Sequence, residues 1–179
     1  MRELINSERL RTFLDALGQA IRFPVRLYLV GGTSLIHFGL KEQTVDIDLS
    51  WEVDVKNQTE LIEVLRNLKE KLNMSIEEAS PKEFIPLPAG WRDRCLWAGR
   101  FGPVDVFHFD PYSTALSKID RGSEVDFDDV AQLLAAGKIT MEKLEQCCRE
   151  IIPLMGAASL RQDPRRFQRN FAILKQRIG

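Results

Sequence analysis

The feature that most constrains this chain is a glycine pair, Gly31-Gly32, separated by thirteen residues from two aspartates that flank one isoleucine. The glycines interrupt a short apolar run, which predicts a turn between a strand and a helix. Asp46 and Asp48 belong to a segment of alternating apolar and polar residues, which predicts a strand with both acids on one face. A short helix and a turn fit between the two features. We therefore expect two adjacent strands with the glycines and aspartates at neighbouring ends.

This arrangement suits phosphate chemistry that depends on divalent metal ions. Two carboxylates about 7 Å apart at the backbone can converge on two ions about 4 Å apart. Hard oxygen ligands favour Mg²⁺ or Mn²⁺ over zinc. A glycine turn at a helix start allows backbone amides and hydroxyl groups to approach a triphosphate, and those groups belong to Gly31, Gly32, Thr33 and Ser34. The alternative is an exposed strand face that happens to carry alternating acids.

A third acid, Asp105, lies in the apolar segment VDVFHF. An acid there is costly to bury unless it is paired or binds a metal, so Asp105 is a candidate third metal ligand. The alternative is that it lies on an exposed strand face. His37 and His108 are the two histidines, and they are interpreted as structural because two isolated histidines make no metal set.

The remaining hydrophobic pattern divides the chain into a mixed first part and a helical second part. It predicts helices at 7–21, 33–40 and 58–72, strands at 27–30, 45–53, 74–79, 94–100 and 104–109, a loop at 81–91, and helices at 111–120, 126–136, 140–152 and 163–178. This order predicts an α+β fold with a sheet domain over residues 1–110. A helical C-terminal subdomain over 111–179 is expected to pack on it.

The composition is that of a globular protein, with 44% hydrophobic and 28% charged residues. No apolar run approaches the roughly 20 residues that span a bilayer, and the first residues lack the apolar region of a signal peptide. Cys95, Cys147 and Cys148 have no Cys-x-x-Cys spacing, which favours reduced thiols. We therefore expect a cytoplasmic protein with no membrane partner.

The charge is unevenly distributed, although the net charge is only −1. From residue 161 onward, six basic residues stand against one acid, a local charge of +5: Arg161, Arg165, Arg166, Arg169, Lys175, Arg177 and Asp163. This basic last helix could face a phosphate-bearing partner such as RNA. The alternative is the solvated face of an amphipathic helix.

The segment GGTSLIHFGLKEQTVDIDL resembles the nucleotidyltransferase motif of the DNA polymerase β superfamily, and VDV resembles its third-acid strand. Thr44 fits the Thr-x-Asp-x-Asp form of several branches. The resemblance implies a nucleotidyltransferase-like mixed sheet flanked by helices. It also implies that NTP is a substrate and that two Mg²⁺ or Mn²⁺ ions are bound by Asp46, Asp48 and Asp105.

The segment ALSKIDRGSEVDFDDVAQLL is similar to the helical motif of AbiEii-type nucleotidyltransferases of bacterial toxin–antitoxin and abortive-infection systems. By this resemblance, Lys118 contacts the triphosphate, Asp126 holds Lys118 or acts as a helper acid, and Arg121 also contributes to nucleotide binding. The chain departs from that family at Val125, where a basic residue is usual. The ending RRFQRNFAIL is similar to small bacterial proteins of unassigned function.

Three functions are consistent with these patterns. The first is metal-dependent transfer of a nucleoside monophosphate from an NTP to a hydroxyl of tRNA or other RNA, a protein or a small molecule, in a toxin–antitoxin or phage-defence setting. The second is a non-catalytic binding module that acts as an antitoxin or adaptor for a cognate protein. The third is RNA binding by the basic tail alone.

Overall fold

The computed structural model of the chain describes residues 3–157, 159 and 161–179. The chain forms two compact units. The first comprises Met1–Ala79 and Leu96–Phe109, and the second comprises Ser80–Cys95 and Asp110–Gly179. Residues 80–95, which the sequence-based division places in the sheet domain, therefore cluster with the helical unit.

The first unit is a mixed five-stranded sheet with helices, as the sequence predicts. Its elements are α1 (Ser7–Ala20), β1 (Val25–Leu29), α2 (Gly31–His37), β2 (Asp46–Glu52), α3 (Gln58–Lys71), β3 (Ser75–Glu78), β4 (Leu96–Phe101) and β5 (Val104–His108). The strand order is β3-β2-β1-β5-β4. β1 runs antiparallel to β2 and parallel to β5, β2 runs parallel to β3, and β4 runs antiparallel to β5.

The core of this unit forms on one face of the sheet because the strands alternate. Ile47 and Leu49 of β2 are fully buried, whereas the flanking Asp46, Asp48 and Ser50 are only partly buried. The helix α1 contributes an apolar stripe at helical spacing, and it begins where the Asn6 side chain accepts a hydrogen bond from the Arg9 backbone N–H. The opposite face of β2 is therefore the one that carries the aspartates.

The second unit is built from α4 (Pro111–Arg121), α5 (Glu124–Ala135), α6 (Met141–Ile151) and α7 (Pro164–Ile178). A side-chain cap precedes each of these helices, provided by Asp110, Ser123, Thr140 and Asp163. Ser123 starts α5 two residues earlier than the predicted start at 126. The predicted strand at 94–100 begins later, at Leu96, because Arg92–Arg94 forms a 3-10 turn.

Among the described residues, none of the helices combines the length and the hydropathy that crossing a membrane would require. Cys95, Cys147 and Cys148 are free thiols. Burial raises the pKa of Cys148 to about 12, so this thiol stays protonated at neutral pH.

Candidate functional site

The glycine turn contacts the aspartate strand directly. Gly31 starts α2 with a φ of 55°, and a Cβ placed on it would lie 3.2 Å from Oδ2 of Asp48. A Cβ on Gly32 would lie 2.8 Å from the Thr44 hydroxyl oxygen, which is too close for any other residue without movement of Thr44. The structure therefore brings Gly31, Gly32, Thr44 and Asp48 together, as the thirteen-residue spacing predicts.

Thr33 and Ser34, predicted to donate to a nucleotide, instead make hydrogen bonds inside the first unit. The fully buried Thr33 hydroxyl accepts a hydrogen bond from the Asp48 backbone N–H at 2.8 Å and donates to the Asp46 carbonyl at 3.4 Å. The buried Ser34 hydroxyl lies 2.7 Å from Nδ1 of His108. Both residues position α2, Thr33 against β2 and Ser34 against β5, and neither presents its hydroxyl to solvent.

The register of the sheet identifies a neighbouring acid that the sequence did not indicate. Asp48 of β2 pairs with Glu77 of β3, and Asp46 pairs with Ser75. Paired residues on adjacent strands point to the same face. Glu77 is exposed, so the carboxylates of Asp46, Asp48 and Glu77 share the open face of the sheet.

The structure does not bring Asp105 next to this pair, although the sequence predicts the three acids as one set of ligands. Asp105 pairs with Arg26 of β1, whereas Asp48 lies level with Val30, whose N–H donates to the Asp48 carbonyl at 3.1 Å. Four residues along a strand correspond to about 13 Å. Within the described part of the chain, no group of three or more His, Cys, Asp or Glu side chains is arranged to hold a metal ion.

Asp105 has a different partner on the adjacent strand. Arg100 of β4 donates two hydrogen bonds to its carboxylate, at 2.6 and 3.0 Å. The hydrogen bond and charge of Arg100 hold the pKa of Asp105 below its usual value. Arg100 therefore offsets the free-energy cost of an acid in this strand. Asp105 is partly exposed, which is close to the alternative of an exposed strand face.

The second unit contains the lysine and the acids of the second motif. Lys118 is buried, and its Nζ lies 2.6 Å from Asp129 and 3.5 Å from Asp126. The carboxylate of Asp126 also accepts hydrogen bonds from Arg121 and from the Ser123 hydroxyl. Burial works to raise the pKa of Asp126, but these hydrogen bonds and the two cations lower it overall.

The resemblance implied this association of Lys118, Arg121 and Asp126, but the closest partner of Lys118 is Asp129. The lysine side chain is only 4% exposed, and its charge is compensated by two carboxylates. Arg121, with 42% of its side chain exposed, is the accessible cation of this cluster. The geometry therefore supports a positioning role for Lys118 in place of direct contact with a triphosphate.

A family model described as "Nucleotidyltransferase of unknown function (DUF6036)" matches residues 9–178, which includes most of both units. The chain belongs to the DUF6036 nucleotidyltransferase family. This match confirms the nucleotidyltransferase assignment, and the AbiEii-type branch stays a prediction. No curated protein and no solved structure matches the sequence.

The sheet unit of this DUF6036 protein also contains a buried polar chain that sequence reasoning missed. His108 is 3% exposed, and its Nε2 lies 3.0 Å from Nδ1 of the exposed His37. Phe38 stacks on the His108 ring at 3.6 Å. Together with Ser34, the histidines link the glycine-turn helix to β5. The interpretation of both histidines as structural agrees with this arrangement, although neither is isolated.

The basic last helix of the DUF6036 chain is less available than its composition suggests. Arg166 pairs with Asp120, Lys175 pairs with Glu145, and Arg177 pairs with Glu124 and Asp128. Arg161, Arg165 and Arg169 are exposed, and none of the described residues forms an ion pair with them. The exposed arginines without an ion pair among the described residues therefore lie just before α7 and in its first half.

Proposed function

We propose that this DUF6036 protein transfers a nucleoside monophosphate from an NTP to an acceptor hydroxyl. The observation that carries the proposal is the direct approach of the Asp48 carboxylate to Gly31, where a Cβ would lie 3.2 Å from Oδ2. This contact places a turn that phosphates can approach next to a strand with two acids on its open face. The family match supports nucleotidyl transfer in general.

The donor chemistry at this strand fits divalent metal ions. Asp46 and Asp48 provide hard carboxylate oxygens, which favour Mg²⁺ or Mn²⁺, and both side chains are only partly buried. We propose that they hold the metal ions, two in number. Such ions, when bound, lower the pKa of an attacking hydroxyl and stabilise a leaving pyrophosphate.

The register supports Glu77 as the third carboxylate, in place of Asp105. Glu77 lies beside Asp48 on the adjacent strand and on the same face, whereas Asp105 lies about 13 Å farther along the sheet and is bound by Arg100. A carboxylate at position 77 could bind the same metal ion as Asp48 without any change of register, once the side chains turn toward each other, since they do not form a three-carboxylate group as they stand.

The residues around the acids would prepare the site before substrate binds. Thr33 ties the start of α2 to the backbone of both aspartates, so the glycine turn and the acids keep a fixed separation. Gly31 and Gly32 leave room for a triphosphate to approach the backbone. In the second unit, Asp126 binds both Lys118 and Arg121, which keeps the partly exposed Arg121 guanidinium in place.

The proposed acceptor is RNA, with tRNA included, and a protein or a small molecule is the alternative. The exposed Arg161, Arg165 and Arg169 support RNA because phosphate contacts provide most of the affinity for nucleic acid. The proposed setting, a toxin–antitoxin or phage-defence pair with a cognate protein, rests on the resemblance of the second motif alone.

The proposal is tested by incubating the purified protein with each α-labelled NTP, Mg²⁺ or Mn²⁺, and total bacterial RNA. The matched control is Asp46→Asn/Asp48→Asn, which keeps side-chain size. We expect label on RNA with the intact protein and a loss of at least about 10³-fold in the variant, since metal stabilisation contributes several kcal/mol. Equal labelling by both proteins would refute it.

A second candidate is nucleotide binding without turnover, as in an antitoxin or adaptor. It is favoured by two observations: the predicted third ligand, Asp105, lies apart from Asp46 and Asp48, and Lys118 is buried in ion pairs. This function predicts metal-dependent NTP binding in equilibrium dialysis that Asp46→Asn/Asp48→Asn abolishes, together with no label transfer to any acceptor.

A further inference from the structure

The second unit contains a cleft that the proposed chemistry does not use. Its volume is about 700 Å³. We call it the arginine cleft, and it is lined by Glu83, Phe84, Asp120, Arg121, Arg161, Asp163 and Arg166. These residues come from the 3-10 turn Pro81–Glu83 and the residue after it, the end of α4, and the beginning of α7 with the segment before it.

The three acids of the arginine cleft are already used inside the unit. Arg166 donates to both carboxylate oxygens of Asp120, at 3.0 and 2.9 Å. The Asp163 side chain caps α7 and accepts hydrogen bonds from two backbone N–H groups. Glu83 accepts a hydrogen bond from the Ser80 backbone N–H at 3.0 Å. Arg166 and Arg121 are therefore held by acids, whereas Arg161 forms no ion pair with the described residues.

The arginines, in contrast, retain unused hydrogen-bonding capacity. Nε of Arg166 is buried without a hydrogen-bond partner in the described part of the chain. Arg161 is exposed and forms no ion pair with any described residue. Arg121 is partly exposed, and its guanidinium carbon lies 5.4 Å from the centre of the Phe84 ring. A guanidinium group with unused N–H donors can bind an anionic oxygen, above all one of a phosphate group.

We propose that the arginine cleft binds the phosphodiester backbone of a single-stranded RNA acceptor. The guanidinium groups would contact phosphates, and Phe84 offers an aromatic ring of the kind on which bases stack without sequence preference. Arg165 and Arg169, four residues apart on α7, extend the exposed positive charge by about 6 Å beyond the cleft. An RNA strand is long enough to reach these two arginines from the cleft, whereas a single nucleotide is not. The choice of RNA rests on the proposed function, but the binding site itself does not require turnover.

The test measures binding of a fluorescein-labelled twelve-nucleotide RNA to the full chain by fluorescence anisotropy at several salt concentrations. Arg161→Glu reverses an exposed charge, so the fold should survive, as a thermal melt would verify. We expect it to weaken binding about tenfold or more and to flatten the dependence of affinity on salt by about one phosphate contact. Arg149→Glu is the matched control because this side chain on α6 is 71% exposed and outside the cleft. It should change affinity less than twofold.

Two outcomes would overturn the inference. Equal weakening by Arg161→Glu and Arg149→Glu would indicate a diffuse charge effect. Displacement of the RNA by ATP in both the wild type and Asp46→Asn/Asp48→Asn would indicate that the cleft binds a nucleotide. Because binding is read without transfer, RNA bound at the cleft with no labelled product would reject only the enzymatic function. If RNA is labelled but Arg161→Glu does not change the affinity for RNA, only the assignment of the RNA site to the arginine cleft is rejected.

Discussion

The two regions that carry aspartates are built in opposite ways. In the second unit, Asp126 and Asp129 are buried and lie within 4 Å of Lys118, and Arg121 completes the compensation of charge. In the first unit, Asp46 and Asp48 are only partly buried, on the open face of the sheet with the exposed Glu77 beside them. Two like charges on one strand do not stabilise the fold through each other.

An Asp-x-Asp or Asp-x-x-Asp motif alone does not distinguish a structural acid from a functional one. A buried carboxylate must be compensated by the protein itself, because its desolvation costs several kcal/mol. A carboxylate on an open face has no such requirement, because water solvates it. The acids of the second unit therefore support stability, and the proposed chemistry belongs to those of the first.

Removal of Lys118 should have the largest effect on stability. Lys118→Ala leaves Asp129 buried without its cation, and breaking a buried pair costs about 3–5 kcal/mol. Urea unfolding should show this loss, and Lys118→Met/Asp129→Leu, which removes both charges, should restore most of it. An unchanged free energy of unfolding in Lys118→Ala would contradict the stabilising role of the acids in the second unit.

Ser34 and His108 form a buried polar pair in the first unit. Ser34→Ala leaves Nδ1 of His108 without its 2.7 Å partner, and a buried unsatisfied group costs about 1–3 kcal/mol. Thermal unfolding would measure this loss, with Ser50→Ala on the open face as the control. An equal effect of the two substitutions would show that His108 does not depend on Ser34.

The two candidates for the third ligand can be separated by metal binding. Glu77→Gln should weaken Mn²⁺ binding at least about tenfold, because Glu77 pairs in register with Asp48. Asp105→Asn should leave it nearly unchanged, because Arg100 binds that carboxylate. Titration calorimetry with Mn²⁺ would decide, and the reverse order would restore Asp105 to the metal site.

Acid should weaken the second unit through Asp126. Its pKa is lowered in the folded state below the ordinary 3.8, so its contribution to stability is present above pH 4 and is lost as the pH falls through the folded pKa. Asp126→Asn should therefore be less stable than the wild type at pH 7, and this difference should shrink toward pH 3. A constant difference in melting temperature would contradict this.

The smallest expected effect is on the stability of the sheet unit. Asp46→Asn/Asp48→Asn should change the free energy of unfolding by no more than about 0.5 kcal/mol, as is usual for substitutions away from compensated buried groups. Chemical unfolding without metal would measure it. A loss of several kcal/mol would mean that these acids support the fold, as those of the second unit do.

Much of the fold could be predicted because its signals are local. The alternation of β2 and the apolar stripe of α1 depend on neighbouring residues, and both elements were predicted correctly within about two residues. The contact between the glycine turn and Asp48 was also predicted, because a thirteen-residue connection leaves few alternatives. Lys118 and Asp126 came together because α4 and α5 are joined by a short turn.

The errors concern contacts that no local pattern encodes. Asp105 fits its motif, but its distance from Asp48 depends on how β5 aligns with β1. Ser34 follows the glycines as a phosphate-binding hydroxyl would, but His108, distant in sequence, takes its hydrogen bond. The basic residues from position 161 onward were considered as one charged segment, and three of the six pair with acids on other helices.

By itself, the sequence determined the elements, the mixed sheet and the position of the acidic pair, because periodicity and short connections limit backbone conformation directly. The sequence also placed β1 beside β2, but the remaining strand neighbours and every register depended on the tertiary structure. That arrangement made Glu77 the partner of Asp48 and left Asp105 to Arg100. It also decided which charges are buried and compensated, since burial depends on packing between segments that are remote along the chain.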